Sequence, residues 1–251
     1  MDKLEPDGIP TGNKQMEARS ITYRWVVDLS HPIHPGIPRW PGDPPVKFTT
    51  AATLESEGFR LRSFTMGEHS GTHMNAPISF HAHGVAIDAY APESLVAPAV
   101  VLDVRDRAAA NPDHCLDITG LADWEEKWGP VPAGSVALLM TGWDSRWEDP
   151  RRYLGYDSGG KMHFPGFGLA AARVLLEERG VAGLGIDTHG LDPGQEGTFA
   201  INKLVLEQPR IALENLANLD QLPAVGCTLV IGVLRLKDRS GSPVSVLAFV
   251  P

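Results

Sequence analysis

Apolar residues recur with two different periods along the chain, and each period predicts a different kind of element. The segments VKFTTAATLE (46–55) and FRLRSFTMGEHSG (59–71) alternate apolar and polar residues, which is typical of half-buried antiparallel strands. Short continuous apolar runs at 97–104, 135–142 and 181–187 end in polar or glycine residues and predict buried strands.

The remaining segments add a helix and further strands. GLAAARVLLEERG (168–180) places apolar residues at helical spacing and ends at a glycine, so it predicts a helix. ITYRWVVDLS (21–30) and CTLVIGVLRL (227–236) predict strands, whereas IALENLANLDQLP (211–223) predicts a turn or short helix. SGSP (240–243) predicts a turn before a last strand.

These elements predict a single α/β domain over residues 21–251, with a β-rich N-terminal half. Residues 1–20 carry charges, Pro and Gly but no periodic apolar face, and therefore predict a mobile N-terminal arm.

Composition and charge narrow the class of function. The 251 residues are 43% hydrophobic with a net charge of −9, which is typical of a globular protein and argues against nucleic acid or an anionic membrane as a partner. Cys115 and Cys227 offer neither a disulfide framework nor a paired-cysteine zinc site. No run approaches the roughly 18 apolar residues of a membrane span, so we expect a cytoplasmic protein.

The stretch GEHSGTHMNAP (67–77) carries the candidate chemistry. His69 and His73 lie four residues apart around Gly71, and His81 and His83 follow closely. Neutral imidazoles suit Zn or Mn, and this spacing brings two of them to one ion around a tight turn. The alternative is that His69 and His73 are ordinary hydrogen-bonded residues, and that His81 and His83 face solvent.

The same stretch resembles the signature H-x-G-T-H-x-D-x-P-x-H-F of the metal-dependent cyclase family, which includes bacterial kynurenine formamidases, isatin hydrolases and trans-dienelactone hydrolases. The resemblance extends to VVDLSHPIHPGIPRWPGDPP, VAPAVVLDV, ALLMTGWDSRW, GIDTHGLDP and ALENLANLDQLPAVG. It implies a β-rich α/β fold of the swivelling β/β/α type and a homodimer or homotetramer. It also implies hydrolysis of small cyclic or aryl amides and lactones by a metal-bound water.

The ligand set that the resemblance implies is only half present. His69, His73 and Glu214 match the family's pattern, whereas Asn75 replaces its Asp and two positions lack their His. Those two positions are Ser79 and Asn202. Loss of the carboxylate argues against a two-metal site. What remains open is a single Zn or Mn ion on His69 and His73, with Asn75 or Glu214 assisting, or no metal at all.

Without a metal, the predicted pocket still holds acid and base groups. His69, His73 and Glu214, with Glu68 nearby, can move protons near neutral pH. His189 ends a predicted buried strand, which is a usual place for functional groups, although it can equally cap the loop.

Other residues are expected to shape the pocket rather than to react. Trp40 and Trp143 predict flat walls for an aromatic substrate, and Asn75, Ser79 and Asn202 are expected to contact it. Asp187 and Asp192 are expected to orient the loop through turn hydrogen bonds.

Three functions follow from these residues. The first is hydrolysis at a carbonyl of a small cyclic or aromatic amide, lactam or lactone. The second is a metal-independent cyclase or lyase that uses His and Glu as acid and base. The third is a non-catalytic descendant that binds a small molecule without turnover.

Overall fold

The computed structural model describes residues 20–251. The predicted mobile arm therefore lies outside the described residues, except for Ser20. Within residues 20–251, no helix is both long and apolar enough to cross a membrane.

The strands are short, and several match the apolar runs of the sequence. Their bounds are β1 Trp25–Asp28, β2 Lys47–Ala52, β3 Leu61–Thr65, β4 His73–Asn75, β5 Val96–Asp103, β6 Cys115–Leu116, β7 Val136–Met140, β8 Gly166–Phe167, β9 Gly183–Ile186, β10 Ile211–Glu214, β11 Cys227–Val233 and β12 Gly241–Val250.

The helices are also short and lie between the strands. They are α1 Leu54–Glu57, α2 Arg105–Ala110, α3 Ile118–Trp128, α4 Pro150–Leu154, α5 Leu169–Arg173 and α6 Ala200–Val205. A π-helical segment, Val174–Glu178, directly continues α5, so the predicted helix over 168–180 is confirmed but is not α-helical throughout.

The main sheet closes on itself. Its strand order is β1-β12-β11-β5-β7-β9-β10-β4, and β4 also pairs with β12, so that seven of these described strands form a mixed barrel with β1 outside it. Strands β5, β7, β9 and β10 are parallel, and the other pairings are antiparallel. The short β4 therefore fills the gap between β10 and β12.

Apolar side chains fill both faces of the parallel strands. One cluster inside the barrel includes Met74, Leu138, Leu213 and Leu229. A second cluster packs Leu139 and Leu184 of the other face against α3, α5 and α6, the last two contributing Ala172 and Ile201. Burial on both faces explains why these strands appear in the sequence as continuous apolar runs.

The structure corrects three of the predicted elements. Residues 211–214 form β10 rather than a turn or helix, because they pair with β9 and β4. The segment SGSP is not a separate turn, since β12 already begins at Gly241. Strands β2 and β3 are antiparallel, as predicted, but they pair with each other as an exposed ribbon instead of being half-buried, with Phe48 42% and Phe64 58% exposed.

Candidate active site

Strand β4 brings the local motif into contact with distant strands. Gly71 adopts a left-handed conformation (φ 65°), which turns the chain between His69 and β4. His73 lies opposite Glu214 of β10, and Asn75 lies opposite Gly241 of β12. Residues two apart on a strand share a face, so His73 and Asn75 point to the same side.

His73 and Glu214 form a buried ion pair. The His73 Nε2 atom lies 3.0 Å from Glu214 Oε2, while His73 Nδ1 lies 2.9 Å from the carbonyl oxygen of Gly71. That carbonyl can only accept, so Nδ1 carries a hydrogen, and a second proton must lie between Nε2 and Oε2.

The other oxygen of Glu214 is also bound. Oε1 accepts hydrogen bonds from Leu191 N–H at 3.0 Å and from Asn202 Nδ2 at 2.9 Å. Burial by itself would raise the pKa of Glu214. The hydrogen bond from His73 and the charge of His73 oppose this effect, as do the hydrogen bonds from Asn202 and Leu191, and together they lower the pKa to about 2. The carboxyl group is therefore ionised at neutral pH.

His69 is held by two hydrogen bonds. Its Nδ1 atom lies 2.6 Å from Asn75 Oδ1, and its Nε2 atom lies 3.0 Å from Ser240 Oγ. Burial lowers the pKa of His69, and the charge of the neighbouring His73 lowers it further. The ring packs against Gly241, where a Cβ atom would come within 2.6 Å of His69 Cε1, so only glycine fits there without moving the histidine.

Asn202 links the two histidine networks. Its Nδ2 atom donates to Glu214 Oε1 and, at 3.1 Å, to Asp192 Oδ2. Its Oδ1 atom accepts from Asn75 Nδ2 at 3.2 Å. Asp192 also accepts from the backbone N–H groups of Ile201 and Asn202, which anchors the start of α6.

His189 is buried, with only 5% of its surface exposed. Neither of its ring nitrogens has a hydrogen-bond partner among the described residues. Burial lowers its pKa to about 4, with the charge of His73 contributing, so the ring is neutral at pH 7. An unsatisfied buried polar group costs about 1–3 kcal/mol. The ring borders a cavity, so a ligand there can supply the missing partner.

This cavity has a volume of about 300 Å³ and combines the polar groups with an aromatic wall. The Trp40 ring lies 5.5 Å from the His189 ring and 6.1 Å from that of Phe199, and Phe80 lies 5.6 Å from Phe199. The polar residues that line the cavity include His69, His73, Asn75, Ser79, Asn202, Glu214 and Ser240.

The structure therefore brings most of the predicted site residues to one cavity, where their roles remain predictions. Trp143 is the exception, and its prediction as a cavity wall is wrong. Its indole is 1% exposed in the core, stacks beneath Arg146 and donates from Nε1 to the carbonyl oxygen of Tyr153, so it forms no wall of the cavity. Asp187 binds the backbone N–H groups of 141–143 and lies outside the cavity lining.

Sequence reasoning missed several residues of the cavity, among them Ser240, Phe80 and Phe199. Ser240 stands in a segment interpreted only as a turn, and no local motif marks it. Phe80 and Phe199 were not identified as walls, and Phe199 has a left-handed backbone (φ 56°) that no sequence signal predicts. His81 and His83 do not line the cavity, and the His81 ring contacts the carbonyl oxygen of Lys203 instead.

The donor set does not fit a divalent metal ion. Both nitrogens of His69 and both of His73 are engaged by protein groups, and the two nearby amides are neutral. Within residues 20–251, no group of three or more His, Cys, Asp or Glu side chains is arranged to hold an ion. A catalytic zinc site needs three good protein ligands, which this arrangement does not supply.

Comparison with known proteins places the chain among relatives of similar length. A family model described as "Putative cyclase" matches residues 27–193. Isatin hydrolase from Roseibium aggregatum is 33% identical over 90% of this chain and 92% of its own. Kynurenine formamidase from Paracidovorax citrulli is 26% identical over 92% of this chain and 99% of its own.

Solved structures of related proteins have a similar fold. An isatin hydrolase bound to the product analogue thioisatinate superposes with a TM-score of 0.84 at 32% identity, over 90% of this chain and 92% of that one. A potential metal-dependent hydrolase with cyclase activity shares the fold with a TM-score of 0.67 at 23% identity, over 90% of this chain and 98% of that one. The predicted cyclase-type α/β fold is confirmed.

Proposed function

The chain belongs to the cyclase family of hydrolases, and from this membership we propose that it hydrolyses the C–N bond of a small aromatic amide or lactam at its carbonyl carbon. Isatin is a lactam fused to an aromatic ring, and N-formylkynurenine is an aryl formamide. Both substrates that the relatives' names imply thus present a carbonyl group beside a flat ring.

The observation that carries the proposal is the unpartnered, neutral His189 beside an aromatic wall. The walls formed by Trp40, Phe80 and Phe199 suit a flat ring, because aromatic pairs pack with little loss of side-chain freedom. An N–H of neutral His189 can then donate to the carbonyl oxygen and stabilise the charge that develops there.

The remaining groups supply proton transfer and orientation. His69 lies at the cavity and can accept the proton of an attacking hydroxyl group through Nε2. The His73–Glu214 pair fixes the orientation of Asn202 and so of Asn75. In this proposal the reaction proceeds without a metal, since the donor set does not fit one.

We also propose an oligomeric state and a cellular location. A homodimer or homotetramer is supported by the exposed apolar ribbon of β2 and β3, where Phe48, Leu61 and Phe64 face outward. A cytoplasmic location is supported by the free thiols of Cys115 and Cys227.

The proposed function is tested with isatin and N-formylkynurenine, and with an aliphatic formamide as the control substrate. We expect saturable turnover of at least one aromatic substrate with kcat/KM of about 10⁴ M⁻¹s⁻¹ or more, the low end for enzymes. His69→Ala, purified in parallel, controls for contaminating hydrolases. Turnover by the native protein no faster than by His69→Ala for every substrate would contradict the proposal.

A further inference from the structure

We propose that Ser240 is the nucleophile of this hydrolysis and that it forms a transient ester with the acyl part of the substrate. The inference deepens the proposed function and rests on it. It assigns His69 as the base that activates Ser240 and Asn75 as the residue that positions His69.

The geometry is that of a nucleophile, a base and an orienting group in series. Ser240 Oγ lies 3.0 Å from His69 Nε2, and His69 Nδ1 lies 2.6 Å from Asn75 Oδ1. Both contacts are within the hydrogen-bond reach that identifies an activated serine. Ser240 also lines the cavity that His189 borders, on the same side as His69 and Asn75 in the lining. A substrate bound beside His189 in this cavity would therefore meet Ser240.

The direction of each hydrogen bond places the lone pair of His69 where a base requires it. Ionised Glu214 only accepts, so it fixes the Nδ2 atom of Asn202 on its side, and the Oδ1 atom of Asn202 then faces Asn75. Asn75 must donate there through Nδ2, which leaves its Oδ1 atom facing His69. His69 therefore carries its hydrogen on Nδ1, and Nε2 offers a lone pair to the Ser240 hydroxyl group.

The linked side-chain amides of Asn75 and Asn202 solve a problem that asparagine usually causes when it orients a catalytic histidine. A free asparagine amide can turn its NH₂ group toward the histidine and force the wrong tautomer, as happens when a triad aspartate is replaced. Here Asn202 prevents that rotation, because its own two N–H donors are bound to Asp192 and Glu214.

Further contacts hold Ser240 in place. Glu68 Oε2 accepts from the Ser240 backbone N–H at 2.9 Å and from its hydroxyl group at 2.7 Å, and Ser79 Oγ donates to the Ser240 carbonyl oxygen at 2.6 Å. The hydroxyl hydrogen thus has two acceptors, Glu68 and His69. A rotation about the Cβ–Oγ bond transfers it from the resting contact with Glu68 to the reactive contact with His69.

His69 carries the proton in both the formation and the hydrolysis of the ester. The Ser240 Oγ atom bonds to the carbonyl carbon, its proton moves to His69 Nε2, and the carbonyl π electrons move to the oxygen. When the C=O bond re-forms, the C–N bond breaks and the nitrogen takes the proton from His69. Water then attacks the ester and gives a proton to His69. The bond between the acyl carbon and Ser240 Oγ then breaks, and Oγ regains that proton from His69. The net reaction therefore consumes one water.

Phenylmethanesulfonyl fluoride tests the nucleophile without a substrate, because serine displaces fluoride from it and its benzyl ring suits the aromatic wall. We expect one sulfonyl group per chain on the peptide that contains Ser240, located by mass spectrometry. The label should be absent from Ser240→Ala and retained in Ser94→Ala, a control serine that is exposed on the short helix Pro92–Leu95 and does not line the cavity.

Turnover provides the second arm, measured with the aromatic substrate that the native protein hydrolyses. Ser240→Ala should lower kcat by at least about 100-fold while KM stays similar, since the nucleophile is lost but the walls remain. A melting temperature close to that of the native protein shows that the variant is folded, and labelling of the native protein does not depend on the variant.

The outcomes separate the two proposals. Hydrolysis by the native protein that persists in Ser240→Ala within fivefold, with Ser240 unlabelled, overturns the nucleophile and leaves the proposed function standing. Labelling at Ser240 without hydrolysis of any aromatic amide supports the nucleophile and counts against the proposed substrate class.

Discussion

Glu214→Ala is expected to lower the free energy of unfolding by about 3–5 kcal/mol, the range for removing one partner of a buried ion pair. The Glu214 carboxylate is 5% exposed and is the counter-charge of His73. Its loss also leaves Leu191 N–H and one hydrogen of Asn202 without an acceptor. Chemical denaturation followed by circular dichroism measures the change.

Glu93→Ala is the matched control, since Glu93 lies on the surface and is expected to change stability by less than about 0.5 kcal/mol. In the double variant with His73→Ala, the cost should be well below the sum of the two single costs, because the charges are removed together. A loss below about 1 kcal/mol in Glu214→Ala would show that the pair is not the buried contact described.

The pH dependence of stability has a defined sign for this pair. The pKa of Glu214 is about 2 in the folded protein, below the ordinary 4.5, so its contribution is fully present above pH 4.5. It is lost as the pH falls from 4.5 toward 2. Glu214→Ala should therefore flatten the stability curve in this acidic window.

His189→Phe is expected to lower kcat by about 10²- to 10³-fold, the usual cost of removing one donor to a developing oxyanion. Phenylalanine keeps the ring next to Trp40 and removes both nitrogens, which have no partner among the described residues. Stability should not fall, because a buried unsatisfied group is replaced by an apolar one.

His189→Asn provides the comparison, since its amide retains an N–H donor. It should recover part of the lost kcat, measured with the same aromatic substrate. Equal kcat values for the native protein and His189→Phe would remove His189 from the reaction. A change in KM alone would assign it to substrate binding instead.

The sequence predicts the barrel strands well and their partners poorly. The strands at 96–103, 136–140 and 183–186 are recognisable because both of their faces are buried. For residues 211–214 the sequence prediction is wrong, because the Leu and Ala spacing of this segment also fits a turn or helix. Only pairing with β9 and β4 makes these residues a strand.

In the site as well, residues of the local motif can be predicted from the sequence, whereas residues brought in by strand pairing cannot. His69, His73 and Asn75 stand in one short motif, so the sequence identifies them directly. Ser240 lies 171 positions from His69 and reaches it only because β12 pairs with β4. The prediction for Trp143 rests on residue type alone, whereas packing against Tyr153 and Trp147 places this side chain in the core.

We propose that this cyclase-family site works through hydrogen-bonded side chains and without a metal ion. The most direct test measures metal content by mass spectrometry and aromatic-amide turnover in one sample, before and after dialysis against EDTA. We predict metal far below one ion per chain and turnover that EDTA does not change. Turnover lost on dialysis and restored by Zn or Mn would contradict the account.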